Sequence, residues 1–320
     1  MKQKQLIIGG LVGLAVVSGY FYADHAKHEF VKERIDTELT MMDGTSPVKY
    51  GALQTSLFSN AVTLKNVTID MSGLQNLAGN NAANVVSIES VTVDSEVGLS
   101  SLESSKLPSQ LEVTLSGIAT EVDFKLLAEN SVKPAEKVVY QTINTLTDGK
   151  PTTDFYLEYD YSPAKGNSLP FVDIKLKSEL NKVAGMEVKA EIENMPLDPV
   201  VLMFGGMQRA LIHHFELVVK DKGKTTDLLI ENMAKQMNMS EKQFEEQLTD
   251  ELKKDIEYSH QAIEKMFYSA VEDFVDDRHE FKIALTPKTP MTIEDIQKVA
   301  LFAADEDEIE RELNLKIKGK

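Results

Sequence analysis

The chain has 320 residues, 34 Lys+Arg against 51 Asp+Glu for a formal net charge of −17, and 42% hydrophobic residues, with no Cys and no Trp. That length and apolar content are enough for one large or two ordinary domains with a core, which excludes wholesale disorder. The lack of Cys excludes a disulfide scaffold, a thiol nucleophile and Cys-ligated metal sites. The acidic balance argues against nucleic acid, whose phosphates are held by Lys/Arg clusters.

The first element is an uncharged run from Leu6 to Tyr22, preceded by Lys2 and Lys4. It just reaches the ~17-residue lower limit for crossing a bilayer core. Cleavage sites with small residues at both required positions are lacking: Phe21 or Asp24 would occupy one of them, and Val17-Ser18-Gly19 lies inside the run. An uncleaved transmembrane anchor over 6–23 is expected, with a cytoplasmic tail at 1–5 and a helical or extended connector at 24–44. Tyr20, Phe21 and Tyr22 fit a membrane-interface belt. Gly9 and Gly13 form a GxxxG pair that would support at most a weak homodimer through the span.

A β-rich region is expected over 45–222. Val62 to Asp70 aligns with Val86 to Asp94, and Val113 to Glu121 is a looser third copy. Each begins with period-two alternation and then slips phase by one residue, as in apolar positions 62 and 64 followed by 67 and 69. Such a slip flips the strand unless a bulge absorbs it, so the copies read as bulged or sharply bent strands that curve the sheet. A short helix from Pro134 to Thr145 has Pro in its first turn. Strands are expected at Asp154 to Tyr161, in a hairpin of Val172 to Lys177 with Met186 to Ile192, and from Arg209 to Val219.

From 223 to 320 the pattern changes to a helical hairpin with returning strands. Thr226 or Asp227 can cap a first helix, and Ser240 with Gln243 makes a capping box for a second. Phe244, Leu248, Leu252 and Ile256 recur every four residues, and Ile263, Phe267 and Val271 continue the apolar stripe after the hairpin bend. These seven residues are the candidate cover of an apolar groove. A strand at Phe281 to Leu285, a helix from Ile293 to Phe302 and a strand from Leu313 to Ile317 close the chain. The fold class expected is α+β: a transmembrane helix, then a curved, mostly antiparallel sheet covered by an amphipathic helical hairpin.

Tyr50 to Phe58, following the apolar run and leading into Val62 to Ile69, resembles the start of AsmA-like and YdgA-like bacterial envelope proteins. The resemblance covers residues 1–120 and rests on pattern and order. It implies a single-pass inner-membrane protein with its bulk in the periplasm and an elongated β structure. In larger AsmA-like members, a curved sheet with an apolar groove is associated with phospholipid traffic.

No catalytic, cofactor or metal site emerges from the motifs. His213 and His214 face opposite ways on a strand, Gly223-Lys224-Thr225 lacks the upstream Gly of a phosphate loop, and Asp305 to Glu308 lacks the alternation of a calcium loop. The functional expectation is therefore a non-enzymatic protein that binds phospholipid or an envelope partner through apolar surface. The alternative is an assembly factor that docks another membrane or periplasmic protein through its helices. Whether the apolar face is an open groove or a filled core is left open by the residues alone.

Overall fold

The computed structural model describes residues 32, 36, 48–55, 60–70, 85–95, 108–120, 122–166, 168–195, 206–259 and 261–320. They fall into two compact units: residues up to 122 with 152–162, and residues 123–151 with 163–320.

The first unit contains β1 (Val48–Lys49), β2 (Ala52–Thr55), β3 (Val62–Asp70), β4 (Val85–Asp94), β5 (Gln110–Thr120) and β6 (Thr152–Ser162). Every pairing is antiparallel: β1 and β2 along β3, then β3 with β4, β4 with β5 and β5 with β6. The phase slip seen in the sequence is real, and the strands make it together. Register is continuous through β3–β4 and β4–β5, so Asn66 stands opposite Glu89 and Glu89 opposite Gly117. Gly51 lies against Asn66 at the break between β1 and β2.

Asn66 (φ 52°) and Gly117 (φ 64°) take left-handed backbone, which lets two successive side chains turn outward before alternation resumes. Val62, Leu64, Val67 and Ile69 therefore all stay buried, as do Val86, Ile88, Val91 and Val93 on β4. The slip ends as a true bulge between β5 and β6, where register shifts between Leu115 and Ile118 and Asp154 Oδ1 accepts the Gly117 N–H at 2.7 Å. Of the two expected forms, bulged or sharply bent, both occur: neighbouring strands that turn at the same row keep their pairing, and one bulge between β5 and β6 absorbs the offset.

The second unit begins with two helices, α1 (Phe124–Asn130) and α2 (Pro134–Thr147), and continues with β7 (Phe171–Leu180) and β8 (Ala184–Glu193). A 3₁₀ turn at Gly206–Arg209 leads to β9 (Leu211–Asp221), α3 (Thr225–Gln236), α4 (Glu241–Tyr258), α5 (Ala262–Asp277) and β10 (Glu280–Leu285). It ends with α6 (Ile293–Phe302), α7 (Glu306–Leu313) and β11 (Lys316–Gly319). Strands β7 to β11 pair in order, all antiparallel.

The Ser240–Gln243 capping box forms in full. The start of α3 differs from expectation. Neither Thr226 nor Asp227 caps it; Asp221, at the end of β9, accepts the N–H groups of Gly223, Thr225 and Thr226 at 2.7–3.0 Å. Burial alone would raise the Asp221 pKa, but these donors outweigh it and hold the carboxyl below its ordinary value. Gly223 is required in this turn, because a Cβ there would stand 1.9 Å from the Lys182 carbonyl oxygen.

The expected strand start at Leu313 is corrected. Asp305 caps α7 by accepting the Glu308 N–H at 2.9 Å, and the helix runs to Leu313, placing Ile309 and Leu313 on one fully buried face. Acidic residues in the first turn favour helix through its dipole.

The transmembrane helix in the expected fold class is also corrected. Among the described residues no helix is long and apolar enough to cross a membrane. The longest described helix, α4, carries charged residues around its apolar stripe, as a water-facing helix must. Residues 6–23, with Gly9, Gly13, Tyr20, Phe21 and Tyr22, lie outside the described residues.

Candidate functional site

Strands β7, β8 and β9 present two chemically opposite faces, and their register shows how. Ile174 pairs with Ala190, which pairs with Phe215; Leu176 pairs with Val188, which pairs with Leu217; Ser178 pairs with Met186, which pairs with Val219. Partners directly across share a face, so one face is aliphatic. The other carries Lys177, Glu187, Lys189, Glu216 and, on β10, Lys282.

The charged face is a cross-strand ladder. Lys189 Nζ lies 3.5 Å from Glu187 and 3.1 Å from Glu216, and Glu216 also receives Lys282 at 2.5 Å. The Lys282 hydrogen bond, reinforced by Lys189, holds the Glu216 carboxyl below the usual carboxylate range, while its bond to Glu216 raises the Lys189 pKa. Val218, between Glu187 and Lys282 in register, is nevertheless buried. Long aliphatic stems of charged side chains cover apolar neighbours in this way.

The aliphatic face is covered unequally. Near β10 and β11 it is a filled core: Ala262, Leu285, Ile309, Leu313 and Leu315 are buried, with Ile212, Phe215, Ile263, Met266, Ile283 and Ile317 packed against them. On β7 to β9 the cover is uneven: Val172 and Ile192, in register with Ile212, are buried. Further along, Ile174, Leu176, Val188, Ala190, Leu217 and Val219 are only half-buried, and Met186 is 40% exposed.

The seven predicted groove-cover residues do not act as one lid. Helix α5 lies on β11 and β10, with Phe267 and Phe274 each packed edge-on against Phe281. Contact with β11 is so close that a Cβ at Gly319 would stand 2.1 Å from the Ala270 carbonyl oxygen and 2.2 Å from the Phe274 nitrogen. No acyl chain fits between them. Ile263 joins the filled core, Val271 is half-buried, and Phe267 has an exposed outer edge. Helix α4 packs on α5 and α3, so Leu252 is buried between helices while Phe244, Leu248 and Ile256 are partly covered. Arg278 fastens this layer: it donates to Asp227 on α3 at 2.6 Å, to Glu245 on α4, and to the Val275 carbonyl on α5.

The polar motifs stay separate. A register shift between Glu191 and Ile192 makes His213 the extra residue of a bulge in β9. His213 Nε2 is 2.8 Å from Glu193 and its ring meets Phe171 edge-on at 5.2 Å, whereas His214 Nδ1 is 2.9 Å from the Thr286 hydroxyl. The two histidines therefore serve different local contacts.

In the first unit, Asp94, Glu112 and Glu158 stand in register across β4, β5 and β6, beside a hollow of about 250 Å³. The sequence reading missed this row, because its members are distant in the chain and meet only through strand pairing. Tyr156 donates to Glu158 at 2.9 Å, and its phenol pKa is raised by burial first and by the neighbouring carboxylates second. Among the described residues no group of three His, Cys, Asp or Glu is placed to hold a metal ion.

A family model described as "Uncharacterized protein" matches residues 172–320, somewhat less than half of the chain. The match takes in β7 to β11 and therefore the two-faced sheet, whereas the resemblance to AsmA-like and YdgA-like proteins rests on residues 1–120. No curated protein matches the chain.

Proposed function

We propose that this is a non-catalytic binding protein that takes a lipid acyl chain on the aliphatic face of β7, β8 and β9. The observation that carries the reading is the run of half-buried aliphatic side chains on that face, beside a filled core. The partly open run follows β7 from Ile174 to Leu180, about 20 Å at ~3.4 Å per residue.

The physics sets the strength. A fully buried methylene is worth ~0.8 kcal/mol. A chain lying on an open sheet face loses water on one side only, so roughly half of that, about 0.4 kcal/mol, applies per methylene. Twelve methylenes then give about 5 kcal/mol, which is sub-millimolar binding suited to transfer or presentation rather than sequestration. The acidic body repels anionic headgroups, so chain contact has to supply the affinity.

Lysophosphatidylcholines with acyl chains of eight to twelve carbons, kept below micelle formation, test this by methyl NMR. Shifts are expected at Ile174, Val188 and Leu217, with affinity rising about twofold per methylene and lost in Val188→Glu and Leu217→Glu. Shifts confined to other methyl groups, or affinity independent of chain length, would refute the reading.

A further inference from the structure

The α6–α7 corner carries a second apolar surface, separate from the sheet face. Helix α6 turns Ile296, Val299 and Ala303 towards the core of Ile309, Leu313 and Leu315. Three of its other apolar residues are exposed: Ile293 at 38%, Leu301 at 54% and Phe302 at 80%. Beside them lies a hollow of about 400 Å³ lined by Lys298, Val299, Phe302, Ala303, Glu308 and Glu312. Its floor is apolar and one wall is carboxylate. The volume is near the low end of ligand pockets, ~300–1,000 Å³, and the hollow is open, so it suits one or two inserted side chains.

Charge narrows the occupant. Residues 293–313 contain eight acidic and two basic side chains. Both basic residues are already engaged, Lys298 with Glu294 and Asp295, and Arg311 with Glu308 and Glu312. The corner therefore repels anionic lipid surfaces, and it repels another copy of a chain with net charge −17. A groove between two helices accepts an amphipathic helix through apolar anchors spaced three or four residues apart.

We infer that the α6–α7 corner docks a basic amphipathic helix of a protein partner, whose apolar anchor enters the hollow beside Phe302 while its Lys/Arg residues face the α7 carboxylates. This surface is independent of the lipid reading, and either can fail without the other.

The probe is a synthetic 16-residue Leu/Lys peptide with leucines at helical spacing, compared with an equally charged Ser/Lys peptide on the full chain by fluorescence anisotropy. Leu/Lys binding is expected to exceed Ser/Lys binding at least tenfold. Phe302→Ser with Leu301→Ser should remove that excess while leaving the melting curve unchanged, since both side chains face solvent. Glu312→Gln should weaken binding a few-fold. Equal binding of the two peptides, or Leu/Lys binding that survives the double substitution, would overturn the inference. So would a concentration-dependent dimer that Phe302→Ser abolishes and the Leu/Lys peptide does not compete with, because the occupant would then be a second copy.

Discussion

The strands of the first unit and strands β7 to β9 of the second follow the same antiparallel rule and end in different states. On β3, β4 and β5 the inward residues Val62, Leu64, Val67, Ile88, Val93, Val113 and Leu115 are almost wholly removed from water. On β7, β8 and β9, Val172 and Ile192 are buried too, but Ile174, Leu176, Val188, Leu217 and Val219 at the same alternation keep partial contact with it. Alternation fixes which side of a strand is apolar, and only the neighbours fix whether that side is a core. A second difference lies in the backbone. The first unit keeps its apolar side inward through a phase slip by kinking several strands at one row, whereas β7 and β8 pair without interruption.

The largest expected effect tests the burial contrast. Leu115→Ala should cost about 3–4 kcal/mol, in the usual range for emptying a packed site. Val188→Ala should cost about 1 kcal/mol or less, because the side chain is half-buried and keeps partial contact with water. Urea denaturation of the full chain measures both, and equal losses would erase the distinction.

The backbone contrast comes next. Gly117→Ala should cost about 2 kcal/mol, since Gly117 is left-handed and a Cβ would meet that of Glu89 at 2.9 Å. Gly185→Ala on β8 should change stability by less than about 0.5 kcal/mol, because its Cβ would meet only the flexible end of Lys222.

Asp221→Ala, which leaves the N–H groups of Gly223, Thr225 and Thr226 without their carboxylate, should cost about 1–2 kcal/mol. Hydrogen exchange should show the loss first at the start of α3, and protection there equal to that of the native chain would contradict the capping role.

The smallest effect is the pH dependence of the charged ladder. The Glu216 carboxyl is depressed in the folded state, chiefly by its bond to Lys282. Its contribution is therefore complete above the unfolded value of ~4.3 and is lost as pH falls through the lower folded value. Both lysine partners are partly solvated, which keeps the term to about 1 kcal/mol or less. Stability curves of the native chain and Glu216→Gln should converge as pH drops below about 4; a constant gap would show that the ladder does not titrate.

Much of the secondary structure was legible because it follows local rules. The alternation of Val172 to Lys177 and Met186 to Ile192 gave the β7–β8 hairpin, Ser240 and Gln243 gave the start of α4, and the helix from Ile293 needed only its own periodicity. Helix α1 was missed, since seven residues carry little periodic signal. Asp221 was missed as a cap because it belongs to the preceding strand and reaches the helix through a turn set by Gly223. The candidate site was half legible. The apolar helix stripe was found, but the sequence could not show that α5 lies backbone-close on Gly319 and fills the place expected for a groove.

By itself, the sequence determined the alternation of the strands, the phase slip at Asn66, Glu89 and Gly117, the amphipathic helices and the acidic balance, because each is a property of neighbours along the chain. Tertiary structure alone decided that the slips align in one row and that Asp94, Glu112 and Glu158 stand side by side. It also decided that α5 closes β10 and β11 while the aliphatic face of β7 to β9 stays half-open. The physical reason is that burial and register are pairwise relations between distant segments, set by which surfaces meet and not by any single stretch of residues.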